Sequence, residues 1–321
     1  MPTAQYFSSP LTLNPALTGK FDGDFRVTAK VPSVGASFVS SSFSAEVPVL
    51  RSFHSKLDYW GVGFRAMKGQ SASGIMSSRE YAFSTAYTKG LDEQGYHQLG
   101  VGFQASFHRN RINTLDLTPA EPLPVQELPL AVPVDLMRTD NILNMQYPDY
   151  TDLSTGFLYS GTTNGRNNFY LGGAAFHLNN PLETSLDNKL FYGISPQYIV
   201  HGGASFHRDE ARSSYYVSSV YSNQANRQLL MLGGVFGYNL VSGTEFSRTV
   251  YAGIWGKYSE PYTVLMPYLG MDYNGFRMGV SYDFQFQKST TVRSPFNKVI
   301  EITLIYERKQ DWYRTRPHPR F

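Results

Sequence analysis

Apolar and polar residues alternate with a period of two over long stretches of this chain. From Phe276 to Gln287, the residues Phe276, Met278, Val280, Tyr282, Phe284 and Phe286 hold one parity, and Arg277, Gly279, Ser281, Asp283, Gln285 and Gln287 hold the other. Successive side chains of a strand point to opposite faces, so this segment has one apolar and one polar face. Its length is that of a tilted transmembrane strand, about ten residues. Gln98 to His108 repeats the pattern, with Leu99, Val101, Phe103, Ala105 and Phe107 against Gln98, Gly100, Gly102, Gln104, Ser106 and His108. The pattern predicts further strands near 24–31, 35–46, 58–67, 81–87, 154–163, 166–178, 198–208, 230–240, 247–257, 263–273 and 298–307. Pro267 weakens one of them, and 213–222 reads as strand or loop. The expected fold is all-β: an antiparallel transmembrane β-barrel of about fourteen strands, an even count that leaves both termini on the periplasmic side.

A soluble β-sandwich alternates too, so further evidence must separate the two. Aromatic residues crowd the apolar parity near strand ends, as interfacial girdles do, while Gly, Ser, Gln, Asp and Glu fill the other, as a wet lumen does. The chain has 23 Tyr and 22 Phe but only 17% charged residues. Apolar residues never recur at the helical period, and no apolar run is long enough for a transmembrane helix. One stretch breaks the strand pattern: Leu115 to Tyr150, with five prolines in LTPAEPLPVQELPLAVPVD. It reads as a long extracellular loop. The chain is then a single domain, with an N-terminal periplasmic or plug segment at 1–20, a barrel at 21–308 and a periplasmic tail at 309–321.

A net charge of +3 gives no footprint for nucleic acid. The absence of cysteine excludes disulfides, thiolate metal sites and thiol catalysis. Met1 to Gln5 lacks a basic region and an apolar core, so an exported form of this sequence would already be without its signal peptide.

Arg277, Asp283, Glu301 and Glu307 share the lumen parity. They form either a network that grips a substrate or plug, or the paired polar filling that such an interior needs. His201, Ser205 and His207 share a parity near His177, but six residues of strand span about 20 Å, too far for one metal ion. No Ser, His and acidic trio has recognisable spacing, so no catalytic residue, metal site or cofactor is assigned. The glycine pairs at 172–173, 202–203 and 233–234 lie in strands without a phosphate-binding pattern, and suit bends or close backbone approach.

Several segments resemble one family in order along the chain. They are QYFSSPLTLNPALTG at the start, LGGAAFHLNNPLETSL at 171–186, YYVSSVYSNQANRQLLMLGGVFGY, MGVSYDF at 278–284, VIEITLIY, and the ending RPHPRF. Together they resemble the PorP/SprF family of Bacteroidetes outer-membrane proteins linked to type IX secretion and gliding. His318 stands where that family often has Cys. The resemblance implies a non-enzymatic barrel in the Gram-negative outer membrane that binds proteins. The partners would be periplasmic ring components, or the C-terminal domain of a secreted surface adhesin, with outer-membrane lipid around the wall. Candidate partner-binding residues lie outside the strands: Asn14, Pro15, Ala16 and Gly19 near the start, and Trp312, Tyr313, Pro319, Arg320 and Phe321 in the basic, aromatic tail. A passive porin or small-solute channel is the alternative.

Overall fold

The computed structural model describes residues 10–21, 23–32, 38–49, 58–71, 76–112, 149–163, 167–184, 191–208, 212–240, 248–260, 262–287 and 299–308. In order, the strands begin with β1 (Phe25–Pro32), β2 (Phe38–Val49), β3 (Tyr59–Ser71), β4 (Met76–Gly90) and β5 (His97–Ile112). Then come β6 (Tyr150–Thr163), β7 (Asn167–Phe176), β8 (Leu182–Thr184), β9 (Phe191–Gly193) and β10 (Gln197–Arg208). The last are β11 (Ser213–Gln224), β12 (Arg227–Asn239), β13 (Arg248–Ser259), β14 (Tyr262–Tyr273), β15 (Phe276–Gln287) and β16 (Val299–Arg308).

Fourteen of these close into an antiparallel barrel, each pairing with its neighbours in sequence. Only β8 and β9 stand apart, as a small hairpin in the connection from β7 to β10. The first and last strands seal the wall, from Phe25 opposite Arg308 to Pro32 opposite Glu301. Closure removes the unpaired edge that lipid cannot solvate.

The alternation sorts the side chains as expected. On β15, Phe276, Met278, Val280, Phe284 and Phe286 are 39–57% exposed, whereas Ser281 between them is 1% exposed. The apolar parity is therefore the outer face and the polar parity the inner one. With an even count, β1 begins and β16 ends at one end of the barrel, while β5 and β7, which precede the two longest stretches between barrel strands, end at the other. This is the arrangement of short periplasmic turns and long outer loops. The loop expected at 115–150 lies, up to residue 148, outside the described residues.

Two details differ from the reading of the sequence. β4 begins at Met76, five residues before its alternating stretch, and its polar start MSSRE pairs with the end of β5 from His108 to Ile112. These ladders run past the apolar band, where no lipid imposes alternation. Around Pro267 the ladder between β14 and β15 is interrupted at Met266–Pro267 and Tyr282–Asp283, and resumes in the same register. Proline has no N–H to donate, so its strand stays paired with β13 through the Pro267–Ile254 position while losing bonds on the other side. The ambiguous 213–222 stretch is β11, paired along its length with β10 and β12.

Candidate functional site

The N-terminal segment folds into the lumen. Pro10–Leu13 makes one helical turn and Pro15–Leu17 a single 3-10 turn, with Asn14 between them. Asn14 is extended, at φ −159° and ψ 123°, and its Oδ1 accepts a hydrogen bond from Ala16 N at 2.8 Å. Proline at the first position of the turn supplies a fixed φ and needs no donor, so Asn-Pro-Ala is a local start signal for the turn. Thr18 closes it, donating its hydroxyl to Pro15 O at 2.7 Å. Gly19 follows at φ +73°, where a side chain would also meet the Gly61 backbone at 2.7 Å.

The inner wall accepts this segment because glycines floor it. A Cβ on Gly102 would lie 2.3 Å from the Pro15 carbonyl carbon, and one on Gly156 would lie 2.0 Å from Asn14 Oδ1. Gly61 likewise clears Thr18 O, and Gly172 clears the Asn14 amide. The Asn14 amide donates to the carbonyls of Phe157 at 2.9 Å and Gly173 at 3.3 Å. It also lies 2.9 Å from His201 Nε2. The amide shares its two hydrogens among these three acceptors, and a hydrogen bond to Nε2 requires the His201 tautomer with its proton on Nδ1. Further on, Gly19 N donates to Glu46 Oε2 at 3.1 Å, and Lys20 Nζ donates to Gln98 Oε1 at 3.0 Å and Ser160 Oγ at 2.6 Å. Burial pushes the Lys20 ammonium down to about 7.

Asn14, Pro15, Ala16 and Gly19, expected to meet a partner, are therefore buried against the barrel's own wall. Trp312, Tyr313, Pro319, Arg320 and Phe321 lie outside the described residues.

Among the described residues the charged lumen groups pair across strands. Glu301 pairs with Lys30 at 3.1 Å, Glu307 with Arg26 at 3.6 Å, and Arg277 with Asp272 at 3.2 Å. Asp283 faces Glu301, Lys257 and Lys30, and its Oδ1 has no hydrogen-bond partner among the described residues. Arg26 is the hub, because it also holds Glu46 through Nε at 3.1 Å and Nη2 at 2.9 Å. Parity placed the acids inward, but their partners follow from register: Arg26 sits directly across from Glu46 on one side and Glu307 on the other.

On β11 to β14 the lumen also holds an apolar cluster, beside the inward Lys257 and Asp272. Val220, Met231, Val235, Trp255, Met266 and Tyr268 are buried and form one cluster with Leu13, Ala16 and Leu17 of the N-terminal segment. Trp255 lies against Gly233, and Tyr268 against Gly270 and Gly279, so small residues make room for the rings. The two rings meet edge-on at 5.8 Å. The signal was present in the sequence, since Met231, Trp255 and Met266 hold the inward parity of their strands.

The remaining histidines do not converge. His201 is held by Asn14, His207 meets the Tyr216 ring edge-on at 6.0 Å, and His177 lies 3.1 Å from Asp152. Among the described residues no group of three His, Asp or Glu side chains could hold a metal ion.

A fourteen-stranded barrel whose N-terminal segment folds back into its own lumen belongs to the outer-membrane class. The monoaromatic hydrocarbon channel CymD shares the fold, at a TM-score of 0.52 and 10% identity over 94% of this chain and 93% of that one. A FadL homologue of Pseudomonas aeruginosa gives 0.52 and 10% over 92% of each chain. At such identity the likeness defines the fold alone. Comparison with curated proteins finds no match to this sequence. The family comparison is decisive: residues 2–306 match the type IX secretion system membrane protein family PorP/SprF, and the chain belongs to it.

Proposed function

We propose that this barrel is a non-enzymatic, protein-binding part of type IX secretion, working in the outer membrane without a cofactor. It either anchors a secreted surface adhesin through the adhesin's C-terminal domain or couples the membrane to the periplasmic secretion ring. The observation that carries this reading is the occupied lumen. The buried segment Pro10–Lys20 and the apolar cluster around Trp255 take up interior that a porin would leave as a water path. Family membership adds the secretion context. In this reading the C-terminal tail meets periplasmic proteins, with Trp312, Tyr313, Pro319, Arg320 and Phe321 as its binding residues, because it follows β16 in sequence and β16 ends where β1 begins.

Affinity capture of the full chain from native membranes, read by mass spectrometry, tests the proposal. Secretion-ring proteins or an adhesin C-terminal domain should co-purify, and deletion of 312–321 should lose ring components. A protein that purifies alone and conducts ions as a steadily open pore in planar bilayers would be a porin instead.

A further inference from the structure

The wall beneath the N-terminal segment has the features of a peptide-binding site. Its floor is glycine, so it accepts peptide backbone rather than particular side chains, at Gly61, Gly102 and Gly156. It reads side chains at the place filled by Asn14, where the carbonyls of Phe157 and Gly173 and the lone pair of His201 converge on an amide, and at the place filled by Lys20, held by Gln98 and Ser160. The Glu46 carboxylate takes one backbone N–H, that of Gly19.

This site also offers more polar groups than its occupant uses. Ser84 Oγ, Thr88 Oγ1, Gln104 Oε1 and His201 Nδ1 are buried and have no hydrogen-bond partner among the described residues. They lie close to the segment. Ser84 and Gln104 face each other across β4 and β5, two positions along the ladder from Gly102, while a Cβ on Gly63 would touch both Ser84 Oγ and Thr18. Thr88 lies beside Gly100, near Ala16 O. Burying polar atoms without partners is unfavourable, and a second occupant that satisfies them gives the wall a reason to carry them. The resident segment is also imperfectly suited to its place, since it takes Lys20 out of water.

We propose that the groove on β3 to β7 and β10 is a peptide-binding site from which Pro10–Lys20 is displaced by a segment of a partner protein. The displacing peptide carries an asparagine followed by proline or small residues, with hydroxyl or amide side chains for Ser84, Thr88 and Gln104. This rests on the protein-binding function proposed above and gives it a location.

The chain has no cysteine, so a disulfide can lock the segment in place. A Cβ on Gly63 would sit 3.1 Å from Thr18 Cγ2, the separation a disulfide needs between one Cβ and the opposite sulfur, so Thr18→Cys with Gly63→Cys should cross-link. The probe is a fluorescent peptide with the sequence of residues 10–20, added to the full-length chain in detergent. The reduced double variant should bind it at least tenfold more tightly than the oxidised one, and a peptide with alanine for the asparagine should not bind. Equal binding by oxidised and reduced protein, or binding by neither, overturns the proposal. An Ala16→Cys chain gives a second readout if the double variant fails to fold: maleimide labelling should rise severalfold with added peptide, and labelling unchanged at saturating peptide overturns the proposal. Capture of the same secretion partners by oxidised and reduced protein overturns the groove as the partner's site but leaves the proposed function standing. Capture of no partner by the wild-type chain removes that function.

Discussion

Two arcs of the same lumen differ sharply. From β16 through β1 to β5 most inward residues are polar, beside Ala82, Ala86 and Ile305, and acids meet bases across the strands: Lys30 with Glu301, Arg26 with Glu46 and Glu307, Arg65 with Glu80. From β11 to β14 the inward residues include Val220, Met231, Val235, Trp255, Met266 and Tyr268, packed on one another, with Lys257 and Asp272 on the same face. Both arcs face inward by the same parity. Parity therefore separates lipid from lumen, while the choice between ion pair and apolar packing is made across strands. The N-terminal segment bridges the two. Leu13, Ala16 and Leu17 join the apolar cluster, while Gly19 and Lys20 bond to Glu46, Gln98 and Ser160.

The strongest way to break the comparison is at its apolar side. Trp255→Ala empties a fully buried position and uncovers Gly233, and should destabilise the barrel by about 3–5 kcal/mol, as large aromatic truncations do. Urea unfolding in micelles, followed by the heat-modifiable shift of folded barrels on gels, measures it. A midpoint unchanged within error would mean that the cluster is not packed as described.

The charged side should respond to pairing rather than to size. Glu46→Ala strands Arg26 and removes the acceptor of Gly19 N. Its cost should be about 3 kcal/mol, the low end for a broken buried pair, because Arg26 keeps Glu307. Arg26→Met with Glu46→Met should recover most of that loss in the same assay. A double variant as unstable as the single one would show that the arc is held by something other than charge pairing.

How much of this was legible follows from the same contrast. The wall was, because lipid on one side enforces alternation over whole strands such as Gln98–His108 and Phe276–Gln287. The polar ladder extensions at Met76–Glu80 were not, since alternation lapses beyond the lipid. Asn14, Pro15 and Ala16 stood out as a motif, yet their burial depends on Gly102, Gly156 and Gly172, which come together only when the barrel closes. Arg26 and Glu46, twenty residues apart, are joined by a register that no local pattern encodes.

The lipid face gives a third and smaller test. Val280 points outward near the middle of β15, so Val280→Arg should cost about 2–4 kcal/mol and lower the yield of folded barrel in bilayers. The contrast is Gln285→Arg, on the inward parity of the same strand and half-buried, which should be milder. Equal losses from both would contradict the division into lipid and lumen faces.

The last test sharpens the bridge between the arcs. Burial lowers the docked Lys20 to about 7 from 10.5, so between those values the docked segment is neutral while a released one is protonated. Release then takes up a proton, and docking tightens as pH rises through that window, by up to about tenfold per unit. Below about pH 7 both states are protonated, and docking sits at its weak, pH-independent limit. A nitroxide on Thr12→Cys should show a mobile fraction by electron paramagnetic resonance that is constant from pH 5.5 to 6.5 and declines toward pH 9. Lys20→Met should remove the decline, since the side chain keeps its length but has no proton to lose. If the decline persisted in Lys20→Met, another titrating group would set the docking, and the polar anchor of the segment would have to be sought away from Gln98 and Ser160.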